Sequence, residues 1–116
     1  ANGAVCTQGG VWTNASSREY KENIEELDTK EALATLTDLN PVKYNYKVNK
    51  AERHLGFIAE DVPDLVATKD RKGMSPMDVT AVLTKVVQEQ QAVIERLEAR
   101  IEALEAPGAA APAEAE

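Results

Sequence analysis

The sequence predicts an α+β domain: a small globular part of helix and short strands, then a long C-terminal helix forming a parallel trimeric coiled coil. Three observations carry that expectation. Asp28 and Glu31 mark a helix N-terminus of the capping-box kind, and Asn40-Pro41 stops that helix because a residue before proline is pushed away from helical angles. Residues 42–48 alternate apolar and polar with the period of a half-buried strand. From Ser75 onward no helix breaker occurs until Pro107.

Size sets the frame. With 116 residues, 43% apolar and 28% charged, the chain suits one small domain with one core. The aromatic residues are Trp12, Tyr20, Tyr44, Tyr46 and Phe57, so a monomer buries mainly Val, Leu and Ile, and burial in an oligomer becomes favourable. A net charge of -7 and a pI near 4.8 argue against nucleic acid, because phosphate binding needs clustered Lys and Arg. No apolar run approaches the roughly 20 residues that span a bilayer, and residues 1–10 lack the basic start and apolar middle of a signal peptide, so no membrane partner is expected. Cys6 is alone and offers no internal disulfide.

Taken in order, residues 1–15 hold Gly, Asn, Thr and the pair Val11-Trp12, and read as a short extended stub at the end of an upstream passenger or linker. The domain proper is expected over 16–105. Leu27 staples the first turn of a helix at about 29–39, whose apolar residues Ala32, Leu33, Leu36 and Leu39 face a core. In the strand that follows, Val42, Tyr44, Tyr46 and Val48 share one face, with Lys43, Asn45 and Lys47 on the other. Residues 54–58 read as a second short strand, 59–65 as a helical turn broken by Pro63, 66–68 as extended, and 69–73 as a loop.

The last helix is expected over about 76–105, with Ser75 as its cap, Pro76 at its first position and Asp78 in its first turn. At about 1.5 Å per residue it is about 45 Å long, longer than a small domain is wide, so its far end projects and needs partners. Leu83, Val87, Ile94, Leu97, Ile101 and Leu104 fall on heptad a and d positions, and Gln90 is the one polar residue among them. Ile at a with Leu at d leans toward two strands, whereas Val79, Val86 and Val93 at g widen the stripe toward three. In a parallel arrangement Arg100 at g faces Glu105 at the next e. The competing reading has the first half of this helix packing on its own domain. Residues 106–116, rich in Ala, Pro and Glu, are expected to be a disordered tail.

Catalytic patterns are sparse. There is no Cys-x-x-Cys, no His-Glu-x-x-His and no phosphate-cradling glycine loop, so no metal site and no cofactor is expected. His54, beside an apolar strand, reads as a packed or surface residue, and Glu25-Glu26 and Glu60-Asp61 read as solvated faces. Taken by residue type alone, Ser16 or Ser17 caps a short helix and Lys21 lies in solvent.

Three ordered blocks change that reading: Ser16-Ser17-Arg18-Glu19-Tyr20-Lys21-Glu22-Asn23-Ile24, then Leu39-Asn40-Pro41-Val42-Lys43-Tyr44, then Gly56-Phe57-Ile58-Ala59-Glu60-Asp61-Val62. Followed by a long helix containing Gln88-Glu89-Gln90-Gln91, they resemble the endosialidase-type intramolecular chaperone family over about 16–104. Such domains end phage tail spikes and fibres, and occur in some bacterial surface proteins and a eukaryotic membrane-bound transcription factor. The resemblance implies a homotrimer that templates folding of an N-terminal passenger and then releases it through a Ser-Lys dyad, with Ser16 as nucleophile, Lys21 as general base and the cut between Ala15 and Ser16. It also points to a virion fibre or a bacterial surface or secreted protein. The family usually carries Asp directly after the serine; this chain has Ser17.

The chemistry suits a reaction run once. A lysine acts as a base only when neutral, and an ordinary lysine pKa of about 10.4 has to fall by roughly two to three pH units to serve near neutrality, which burial on assembly supplies. The scissile bond is already beside the hydroxyl, so no substrate pocket is required. Five residues are about 140° apart on a helix and on opposite faces of a strand, so Ser16 and Lys21 meet through an irregular turn or across a chain boundary. Asn14 or backbone amides are the candidates for holding the oxyanion. Two other readings remain: a trimeric cap of the same fold that stays uncut, and a coiled-coil adaptor for a different protein.

Overall fold

In the structure, a computed structural model describing residues 3–108, the globular part starts at Asp28. The Asp28 carboxylate accepts the Glu31 amide at 3.1 Å, and α1 follows over Thr29–Asp38. Leu39 is its extended C-cap, donating its amide to the Thr35 and Leu36 carbonyls at 3.1 and 3.2 Å. The helix buries Ala32 and Thr35, with Leu36 and Leu39 half-buried. Leu33, expected in the core, is instead exposed. At about 100° per residue it is rotated a quarter turn from Ala32, and Thr35 sits on the inward face in its place.

Beyond Pro41 the chain forms an antiparallel hairpin of β1 (Val42–Tyr46) and β2 (Asn49–Gly56), pairing Val42 with Gly56, Lys43 with Leu55, Tyr44 with His54 and Tyr46 with Asn49. The first strand ends two residues earlier than its alternation suggests. Lys47 and Val48 are the turn, and Val48, expected on the buried face, is 96% exposed. The second strand starts at Asn49 rather than His54, because ladder pairing, not burial, holds its outer half extended. A register slip separates Tyr44 from Tyr46, and the Asn45 side chain spans it. Its amide donates to the carbonyls of Lys50 (3.0 Å) and Glu52 (2.7 Å), while its oxygen accepts Arg53 Nη1 at 3.0 Å.

Two 3-10 turns, Ala59–Asp61 and Asp64–Val66, lie on either side of Pro63 and carry Val62 and Val66 into the core. The returning loop is fastened by Arg71, whose backbone takes the left-handed region (φ 53°). Its guanidinium donates to the Val62 carbonyl at 2.8 Å and pairs with the Asp64 carboxylate. An isolated bridge between Ala67 and Met74 closes the loop.

The final helix, α2, spans Pro76–Glu105; Ser75 caps it by accepting the Asp78 amide at 3.4 Å. Packed against α1, it contributes Val82 and Val86 to a core completed by Ala32, Val62 and Val66, with Leu27, Phe57, Met74 and Val79 around it. Val86 is only 2% exposed, so Val79 and Val86 serve their own domain instead of widening a coiled-coil stripe. Leu83, Val87, Ile94, Leu97, Ile101 and Leu104 all remain exposed, on a face rotated by about 100° from the inward one. The molecule is drawn out along α2 to 66 × 40 × 31 Å. Upstream, Val5–Cys6 and Trp12–Thr13 pair as a small exposed hairpin. From residue 109 on, the expected tail lies outside the described residues.

Candidate functional site

Lys21 Nζ donates to Ser16 Oγ at 2.6 Å. The irregular turn that their spacing requires is a 3-10 turn, Arg18–Tyr20, capped by Ser17. Ser17 Oγ accepts the Glu19 amide at 3.1 Å, and the Ser17 carbonyl accepts the Tyr20 amide at 3.0 Å. Lys21 then leaves the turn in an extended conformation, its amide bonded to the Arg18 carbonyl at 3.1 Å. Of the two adjacent serines, Ser17 is thus the cap, and the Ser16 hydroxyl meets the lysine. Two residues on, Asn23 adopts φ 56°, a left-handed conformation that asparagine tolerates better than most, and turns the chain toward Leu27 and the core.

Both Ser16 and Lys21 are exposed in the single chain, while Ala15, on the carbonyl side of the expected cut, is half-buried. Among the described residues, no hydrogen bond or salt bridge links this turn to the α2 stripe, so the two parts of the expected machinery stay separate within one chain. Gln90 lies exposed on that stripe between Val87 and Ile94.

Other polar clusters have structural partners. His54 stacks on Tyr44 with ring centroids 5.6 Å apart and lies 3.8 Å from the Glu52 carboxylate. Glu60 pairs with Lys72 at 3.3 Å. A cleft of about 740 Å³ between the β1–β2 hairpin and the start of α2, lined by Tyr44, Phe57, Met74 and Val79 among others, contains neither Ser16 nor Lys21. Among the described residues, no group of His, Cys, Asp and Glu could hold a metal ion, and no helix is long and apolar enough to cross a membrane.

Sequence reasoning missed the division of labour between the serines. The available signal was Ser17 standing two residues before Glu19, since a serine hydroxyl readily accepts an amide that close ahead.

No curated protein and no solved structure matches the chain. The family described as chaperone of endosialidase, a peptidase family by name, matches residues 16–69. That match begins on Ser16 and takes in the turn, α1, the β1–β2 hairpin and both later 3-10 turns, just under half of the chain. Residues 16–69 are thus similar to an endosialidase-type chaperone domain, and that likeness supports a chaperone role.

Proposed function

We propose that this chain is an intramolecular chaperone that trimerises, assists folding of an N-terminal passenger in the same chain, and then frees itself by one self-cleavage before Ser16. The observation that carries this is the 2.6 Å contact between Lys21 Nζ and Ser16 Oγ inside the family segment. A neutral Lys21 takes the hydroxyl proton as Oγ attacks the Ala15 carbonyl carbon. The tetrahedral intermediate expels the Ser16 nitrogen, which receives that proton, and Ala15 is left as an ester on Oγ. Lys21 then deprotonates a water that attacks the ester; Ala15 departs as a carboxylic acid that ionises, and Oγ regains its hydrogen from the lysine.

Exposure of both residues in the single chain supports a cut that waits for assembly. A lysine in water keeps its proton, and removing it from water favours the neutral amine. Association of copies along α2 brings the dyads into an assembly where such drying occurs, so the cut reports assembly. The exposed stripe from Leu83 to Leu104 supports association; the number three rests on the family resemblance, because Val79 and Val86 are used internally.

The test is expression with residues upstream of Ser16 in place, followed by denaturing gels, N-terminal sequencing and sedimentation. A fragment beginning at Ser16, absent in Ser16→Ala and Lys21→Ala, and a mass of three chains are expected. An intact native chain in a trimer leaves the uncut cap as the function. Single chains at micromolar concentration refute both chaperone readings and leave the coiled-coil adaptor.

A further inference from the structure

We infer that Ser17 is a positioning residue for the cleavage, the side chain whose cap builds the turn that delivers the Lys21 amine to Ser16; this rests on the Ser-Lys reading above. Neither a regular helix nor a strand brings residues five apart together. The connection is one 3-10 turn, and Ser17 starts it from an extended conformation (φ -65°, ψ 145°). Its hydroxyl oxygen satisfies the Glu19 amide, its carbonyl satisfies the Tyr20 amide, and the Arg18 carbonyl then fixes the Lys21 amide. Lys21 exits extended (φ -124°, ψ 148°), and from there its side chain turns back to Ser16.

The hydrogen bonds described for residues 16–26 all fall within this turn. The segment is exposed, with Tyr20 and Ile24 both 56% accessible, so the core does not hold the dyad together. Short 3-10 turns are weakly held by their backbone bonds alone. Removing the one side-chain acceptor at the start therefore spreads Lys21 over conformations that miss Ser16. An asparagine at the same position accepts the same amide without adding charge.

The experiment follows the rate of self-cleavage in the native chain and in Ser17→Ala and Ser17→Asn. The alanine variant is expected to cut roughly fivefold slower and the asparagine variant to return to within about twofold of native, with an unchanged sedimentation mass in all. Equal rates for Ser17→Ala and native chains overturn the inference while leaving the dyad intact. Failure of Ser17→Asn to rescue also overturns it, because a cap needs an acceptor and not a hydroxyl. If the native chain does not cut at all, the dyad reading fails and the positioning claim is decided by NMR on the uncut chain. Contacts between Ser16 β-protons and Lys21 ε-protons, and slow exchange of the Glu19 amide, are then expected in native and Ser17→Asn chains and lost in Ser17→Ala; their persistence in Ser17→Ala refutes the role.

Discussion

The phenol oxygens of Tyr44 and Tyr46 lie 3.2 Å apart, with their rings edge to face at 5.2 Å and the His54 ring packed on both. The hydrogen bond with Tyr46, followed by desolvation and the charge of Tyr46, raises the Tyr44 pKa above its ordinary value of 10.0. A raised pKa means the folded state favours the neutral phenol. Its stabilising contribution is fully present below about pH 10 and is lost as pH rises through the higher native value. Ultraviolet titration of Tyr46→Phe should show Tyr44 ionising at lower pH than in the native chain; an unmoved transition would mean the hydroxyl pair is not formed in solution.

Glu60 is shifted the other way. A backbone hydrogen bond at Glu60 itself, then Lys72 at 3.3 Å, holds its carboxyl below the ordinary value of 4.5. The folded state thus favours the carboxylate, and the contribution is present above that ordinary value and lost as pH falls through the lowered one. In Lys72→Met, carboxyl NMR should record a Glu60 pKa that rises only part of the way, because the backbone bond remains. A complete return to the ordinary value would show that the lysine alone was responsible.

The two faces of α2 separate by mutation. Val82→Ala or Val86→Ala removes buried methyl groups from the core and should destabilise the domain by about 2 kcal/mol in chemical denaturation. Leu97→Asp or Ile101→Asp, on the exposed face, should leave the far-ultraviolet spectrum of the globular part intact while sedimentation shows single chains. Assembly that survives both aspartates would show that the copies do not meet along this stripe.

Gln90 is the one polar residue at the heptad a and d positions of the exposed stripe, between Val87 and Ile94. Polar groups at such seams trade stability for a single register and chain number. Gln90→Leu should raise the concentration-dependent Tm of the assembly and broaden its mass distribution. A lower Tm would place Gln90 outside the seam.

Features set by neighbours three or four residues apart were legible in the sequence: the Asp28 and Ser75 caps, the stop at Pro41 and the full extent of α2. Features set by pairing or by rotation were not. Lys47-Val48 carries no glycine or asparagine to announce a turn, so Val48 continued the alternation on paper while the ladder closed at Tyr46 and Asn49. Leu33 is as apolar as its neighbours, yet its angle on α1 turns it to solvent and brings Thr35 inward. Val86 fits a heptad pattern whether its partner is its own core or another chain, and only the packing distinguishes them. For the candidate site, the five-residue spacing excluded regular structure but not which serine would cap. Aspartate and serine are both good N-cap acceptors, so Ser17 fits the position where the resemblance leads one to expect Asp.

The first turns of α2 are capped by Ser75 and clamped by Val82 and Val86, and this affects the segment beyond Val93. A free peptide of about a dozen residues is a marginal helix because winding its first turn is unfavourable, whereas each residue added to an existing helix fixes fewer dihedrals per bond gained. Here the globular part supplies the wound nucleus, so the exposed rod grows by propagation alone. In the proposed assembly, neighbouring copies meet surfaces already in shape, and little backbone entropy is lost as they zip together.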